Sequence, residues 1–393
     1  MDRPVIDGGA VAVTGERIVR VGGFAEVCAA RADEITDLGD VVLLPGLINA
    51  HCHLDFTSLR GQIPPQRSFA NWIRSINAKR RELSDDDFLA AIAEGFAEAR
   101  KWGTTTIANI ESLPHLLARM EDPPLRAWWF LELIDVRTDA PPEELVEKAL
   151  SLGKITDGWP GGFGLSPHAP YTASPRLSQL AATNSTLRLT MHLAESREEM
   201  DMFRDGRGSL FDLLQSLGRP MDDCGQGRTP LATMLARQPL DERWIIVHLN
   251  ELTEEDFALL ARGPRFHIAH CPRSGRYFAH SPFALARLRA LGFNICLGTD
   301  SLASNSSLNL FSEMRAVRAA NPAMRAQDIL EMATSNGARA LNCAASLGQV
   351  APGFAADLIA LPFTGRAEDV FEHIINWREP IVWHLAGGIL RTL

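Results

Sequence analysis

Two histidines one residue apart, His51 and His53 in the run LINAHCHLD, are the first sign of chemistry in this chain. In an extended segment, side chains at i and i+2 share a face, so one metal ion can take both imidazoles. The intervening Cys52 points to the other face and reads as a small buried residue. An isolated His-x-His carries little weight, but here further titratable groups end other strand-like runs. They are His168 in SPHAPYTAS, His192 and Glu195 in MHLAES, His248 in VHL, His270 in AHCPRS and Asp300 in LGTDS. His51, His53, His192 and Asp300 form a three-nitrogen, one-oxygen donor set. It suits one divalent ion, zinc first, with iron or manganese also accepted, and leaves room for water. Such an ion lowers the pKa of its water and fixes a nucleophile.

Glu195 lies just past His192 at a strand-to-loop exit, where a carboxylate can take a proton from water and return it to a ring nitrogen without ligating the ion. Its neighbours Glu198 and Glu199 read as surface carboxylates. His248 is placed to orient the hydroxide and stabilise a developing oxyanion, with the role of a further ligand as the alternative. Asp300 doubles as ligand and as proton relay toward the leaving group. The candidate substrate contacts are His168, Trp72 in the long loop after the first strand, and Arg273, Arg276 and Tyr277 after the seventh, arginine being suited to bidentate binding. His168 and His270 read equally well as hydrogen-bonded supports. His115, His267, His280, His373 and His384 are assigned structural roles.

These groups need a scaffold that gathers many strand ends on one face. From about residue 47 to 344, apolar strand-like runs alternate with helical text such as DDDFLAAIAEGFAEARKWG. The runs are PGLINAH, TTTIAN, AWWFLELI, GFGLSPH, LRLTMHL, WIIVHL, RFHIAHC and FNICLGTD, the number that closes a (β/α)8, TIM-like barrel of the α/β class. In that fold, active sites sit at the carboxyl ends of the strands. Residues 1–46 and 345–393 instead carry short β-type runs, AVAVTG, RIVRVG and VVLL at one end and ADLIALP and PIVWHLAGGIL at the other. They are expected to form one small discontinuous β-sandwich domain from both termini, beside a metal-dependent catalytic barrel spanning 47–344. The polar stretch 204–230 is long for a βα connection and is expected to cover the mouth.

Composition closes several options. The formal charge is -9, from 39 basic and 48 acidic residues, and no basic stripe or tail offers a nucleic-acid surface. Lys79, Lys101, Lys148 and Lys154 are the only lysines and none ends a strand, so neither a Schiff base nor a carboxylated bridging lysine has a candidate. No run approaches the roughly 20 apolar residues of a membrane helix, and the first residues lack the order of a signal peptide. The 6 scattered cysteines read as reduced thiols. The expected location is the cytoplasm.

The motifs PGLINAHCHLD, SPHAPYTAS, MHLAES, VHL, AHCPRS, LGTDSLASN and PGFAADLIAL span nearly the whole chain and resemble the metal-dependent amidohydrolase superfamily. Within it they look like the branch of cytosine, guanine, adenosine-type and triazine-type deaminases and chlorohydrolases. They are most similar to the aminodeoxyfutalosine (aminofutalosine) deaminases of an alternative menaquinone pathway. The resemblance implies that His51, His53, His192 and Asp300 hold the metal, that Glu195 shuttles a proton, that His248 lies near the attacking water and that His168 lies near the substrate. It implies hydrolytic deamination of a 6-aminopurine nucleoside-like compound, with a small heterocycle and water as the partners and a homodimer as the assembly. Guanine, pterin, adenosine or S-adenosylhomocysteine deamination, and triazine-type hydrolysis or dechlorination, remain open on the same site. So does a catalytically silent, metal-binding barrel. Pro272-Arg273-Ser274-Gly275 departs from many relatives, which carry Asn or His at the last position.

Overall fold

The computed structural model describes residues 4–28, 34–136, 138 and 140–390. Its strands are β1 (Gly9–Thr14), β2 (Arg17–Gly23), β3 (Val41–Pro45), β4 (Leu47–His53), β5 (Thr104–Glu111), β6 (Arg126–Leu133), β7 (Gly161–Pro167), β8 (Arg188–Leu193), β9 (Trp244–His248), β10 (His267–His270), β11 (Asn294–Leu297), β12 (Asp300–Ser301), β13 (Leu358–Pro362), β14 (Trp383–Ala386) and β15 (Ile389–Leu390). All eight apolar runs become parallel strands. They read as continuous apolar text because both faces are covered, as in β4, where every residue is buried.

The sheet runs β11-β10-β9-β8-β7-β6-β5-β4-β12. β11 and β12 are two pieces of the eighth run, and β12 pairs in parallel with β4, Asp300 opposite Cys52 and Ser301 opposite His53. The Gly298 N–H donates to the His270 carbonyl at 3.0 Å and the Thr299 N–H to the His51 carbonyl at 3.0 Å. The eighth run therefore bridges the seventh and the first and closes the barrel. Gly298 makes this crossing possible, because a Cβ there would lie 2.8 Å from both His51 Cβ and the His51 carbonyl oxygen.

Outer helices follow from amphipathic spacing and caps. The helix Asp85–Lys101 starts at a Ser84/Asp87 capping box and buries Phe88, Ile92, Phe96 and Ala99, spaced three or four residues apart, toward the strands. At the other end of the molecule, β3, β13, β14 and β15 form an antiparallel sheet from both termini. The β1–β2 hairpin lies on it through a core of Ile18, Ala356 and Leu358. The C-terminal part is not wholly β: the helix Val370–Ile375 buries Val370, Ile374 and Ile375 in the barrel's main apolar cluster.

The 204–230 stretch packs beside the mouth. Leu210, Leu213 and Leu214 join Phe69, Ala70, Tyr171 and Phe203 in one apolar cluster. Asp223 is gripped by Arg219 and Arg237, whose guanidinium groups also bond the Pro170 carbonyl after β7. Among the described residues, no helix is long and apolar enough to cross a membrane.

Candidate active site

β4, β8, β9 and β12 bring their polar ends to one point. His51 Nε2 and His53 Nε2 stand 3.6 Å and 3.8 Å from Asp300 Oδ1. His53 Nε2 is 3.4 Å from His192 Nε2. His51, His192 and His248 form one triad, and His51, His53 and Asp300 another, whose donor atoms lie within 4.8 Å of one another. His192 Nδ1 meets the His168 carbonyl at 3.0 Å; as a donor there, it leaves Nε2 to face the cluster. His51 Nε2 and His248 Nε2 are buried with no hydrogen-bond partner among the described residues. A partnerless buried polar atom costs about 1–3 kcal/mol, and a cation would satisfy these. The residues therefore fit a divalent ion.

The electrostatics agree with that fit. Burial, joined by the neighbouring imidazoles, holds His53 and His192 well below the usual histidine range, so both are neutral, the form that ligates. Burial alone would raise Asp300, but its contact with His51 and the pull of His248 hold it well below the carboxylate range. Its oxygens are fixed from behind. Ser301 N–H donates to Oδ1 at 2.8 Å, and Ser274 Oγ and Ser304 Oγ donate to Oδ2 at 2.5 Å and 3.3 Å. Asp300 and His248 both have left-handed backbones, φ 58° and 77°, strain of the kind that gathers at working sites.

Glu195 stands beside the cluster. Its Oε1 is 3.6 Å from His248 Nε2 and 3.7 Å from His280 Nε2. Burial, opposed by His248, pushes its carboxyl up to about 7, where one group can give or take a proton at neutral pH. Glu199, read as a surface group, is in fact fully buried, and its carboxylate accepts the Ala194 and Glu195 N–H groups at 3.1 Å and 2.7 Å. Glu198 is likewise engaged, capping the helix Phe69–Arg80 through the N–H groups of Phe69 and Ala70.

The other candidates divide. His168 lies 4.8 Å from His192, ring to ring, with Nδ1 2.6 Å from Thr172 Oγ1 and Nε2 3.9 Å from Glu132 Oε1. Trp72 and Tyr277 tie the loops of the mouth together. Tyr277 OH donates to the Ile63 carbonyl at 2.8 Å and Trp72 Nε1 to that of Ala303 at 3.5 Å. Arg273 is engaged by Ser306, Ser307 and Glu313, and Arg276 is exposed. His270 stacks on Phe283 at 4.0 Å, outside the donor triads. Cys52 turns toward the β5 carbonyl of Ala108, as strand alternation requires.

Several residues escaped the sequence reading. Ser274 lies in the Pro-Arg-Ser run already singled out, and Glu111 and Glu132 sit at the ends of β5 and β6, where the same strand-end question would have found them. Glu111 and Glu132 sit with Asp55 and Arg80 in one cluster, where Glu132 Oε1 is 3.9 Å from His168 Nε2. Burial pushes Asp55 up to about 7 and Glu111 up to about 8, and it raises Glu132 against the opposing charge of Arg80. His280 Nε2 lies near the same site, 3.7 Å from Glu195 Oε1.

A model of the Amidohydrolase family matches residues 42–374. The chain is 31% identical over 378 residues to a 5-methylthioadenosine/S-adenosylhomocysteine deaminase of Syntrophobacter fumaroxidans, covering 91% of this chain and 80% of that one. It is 28% identical over 404 residues to an aminodeoxyfutalosine deaminase of Deinococcus radiodurans, covering 97% and 87%. Its fold matches that of a Xanthomonas campestris adenosine deaminase crystallised with bound zinc, with TM-score 0.79 and 24% identity over 99% of this chain and 89% of that one.

Proposed function

We propose that this chain, which belongs to the amidohydrolase family, is a hydrolytic deaminase of adenine-type nucleosides and releases ammonia from the 6-amino position. The observation that carries the reading is the convergence of buried imidazoles and Asp300 beside a glutamate poised near neutrality. His51, His53, His192 and Asp300 would hold one divalent ion, zinc in the first instance. When bound, that ion would acidify a water so that hydroxide is present at neutral pH.

The protein's own groups do the rest. Glu195 takes a proton from the attacking water and delivers it to the ring nitrogen beside the amino-bearing carbon. His248 lies next to Glu195 and steadies the oxygen that becomes the new carbonyl. The tetrahedral carbon then collapses: the remaining proton of its hydroxyl is relayed through Asp300 and Glu195 to the amino group, the C–N bond breaks as the C=O forms, and ammonia leaves the 6-oxo ring. His168, Trp72 and Tyr277 would contact the heterocycle, and Arg276, which is exposed, would reach it from solvent.

The relatives support three substrates: aminodeoxyfutalosine, which would put the reaction in menaquinone synthesis, 5-methylthioadenosine and S-adenosylhomocysteine. We place aminodeoxyfutalosine first. The test is ammonia release by metal-loaded protein from these three compounds, adenosine, guanine, a pterin and a chlorotriazine. Turnover of aminodeoxyfutalosine above the rest is expected. Preferred turnover of another adenine nucleoside moves the substrate, and halide release or no ammonia from any nucleoside overturns the reading.

A further inference from the structure

We infer that His280 is a positioning residue for Glu195, holding its carboxylate from the loop after β10; this rests on Glu195 being the proton-transfer group. The main chain of Glu195 is locked: its N–H donates to Glu199 at 2.7 Å and its carbonyl accepts from Asn250 Nδ2 at 3.1 Å. Among the described residues, the carboxylate has no such anchor, and the ion-pair partners it meets are His248 at 3.6 Å and His280 at 3.7 Å. His280 Nε2 is buried and has no hydrogen-bond partner among the described residues. Distances of this length beside a catalytic group commonly shorten when substrate binds.

The loop is built to put that ring there. Ala279 adopts a left-handed turn, φ 54°, that ends the helix Pro272–Phe278, and the His280 N–H bonds the Gly275 carbonyl at 2.9 Å. The next residue is clamped twice by Glu251, whose carboxylate accepts Ser281 N–H at 3.1 Å and Ser281 Oγ at 2.9 Å. Glu251 in turn donates its own N–H to the Ala194 carbonyl at 2.9 Å, one residue before Glu195. The loops after β8, β9 and β10 thus form a closed circuit whose last gap is the space between His280 and Glu195. The imidazole also stacks on Phe278 at 5.0 Å, and Phe278 packs edge-on against Trp72 at 4.9 Å, so the circuit continues into the aromatic roof of the mouth. Burial lowers His280 to about 4, leaving a neutral ring that can donate to the ionised carboxylate.

The variants that test this are His280→Phe, which keeps the stack and removes Nε2, and His280→Gln, which restores a donor. On the preferred nucleoside, H280F is expected to lower kcat about 10–100-fold, with KM, bound metal and Tm close to the parent values, and H280Q to recover part of the loss. In a Glu195→Gln background, H280F is expected to cost nothing further. Parental kcat in H280F, or an equal loss with and without Glu195, overturns the assignment. Crystal structures of the parent and H280F read the same point without substrate: the Glu195 carboxylate should shift or lose order, and one that stays put refutes the role. If no nucleoside is turned over, the functional reading fails, and the crystal comparison still decides the placement of Glu195.

Discussion

Replacing Ser274 by alanine should loosen the metal site without touching a metal ligand. Ser274 Oγ donates to Asp300 Oδ2 at 2.5 Å, the shortest of the contacts that fix that carboxylate; Ser304 Oγ reaches the same oxygen at 3.3 Å, and Ser301 N–H holds Oδ1 at 2.8 Å. A hydrogen bond to a charged group contributes about 1.5–3 kcal/mol, so its loss should raise the dissociation constant for the ion about 10–150-fold. The effect does not stop at one bond. Ser304 Oγ also lies 3.0 Å from Ser274 Oγ, so the second donor loses a neighbour that holds it in place. Asp300 is moreover held at φ 58°, where an unrestrained residue would relax to a negative φ. Ser304→Ala removes only the longer contact and should cost about 1 kcal/mol, roughly fivefold. Competition against a chromogenic chelator measures both constants, and thermal melts of the metal-free proteins check that folding is intact. An S274A protein that binds the ion within twofold of the parent would refute the reasoning, as would an S304A protein that binds it more weakly than S274A.

Two glycines should behave oppositely. Gly298→Ala drives a Cβ to 2.8 Å from the His51 backbone, which should cost roughly 1–3 kcal/mol of stability and lower bound metal; full metal content would contradict this. Gly275 lies in a helix with nothing within 4 Å of an added Cβ, so Gly275→Ala should raise stability by about 0.5–1 kcal/mol, seen as a higher Tm. Glu195→Gln should keep the metal and lose about two to four orders of magnitude in kcat, and retained turnover would remove Glu195 from the mechanism. Burial alone would raise Asp223, but the Arg219 hydrogen bond and the charges of Arg219 and Arg237 hold it below its usual range. Its stabilisation is therefore complete above the unfolded value of about 3.9 and is lost as pH falls through the lower folded value. Asp223→Asn, which leaves two mostly buried arginines unpaired, should cost about 3 kcal/mol at neutral pH, with the Tm gap closing below about pH 4.

What was legible in the sequence followed from periodicity. Strand alternation separates His51 and His53 from Cys52, and the buried parallel strands announce themselves as apolar runs, so the barrel and the ends of its strands could be found residue by residue. The candidate donors came with them, because a side chain at a strand end has its direction set by the strand. A loop residue has no such rule. Arg273 looked like a substrate contact, yet its partners Ser306, Ser307 and Glu313 lie more than thirty positions away and occupy its guanidinium. Glu199 looked exposed because its run is acidic, yet the fold turns it inward to accept two N–H groups. His280 lies beyond a whole helix and a left-handed residue, and the clamp of Glu251 on Ser281 helps to bring it beside Glu195. The sequence thus identified the residues whose direction is set locally, and it missed those whose direction is set by a partner. At this site the first kind would hold the ion, and the second kind decides how firmly Asp300 and Glu195 are aimed at it. Exchanging Ser274 or His280 should therefore change affinity or rate while leaving the ligand set intact, a pattern that motif comparison alone would not predict.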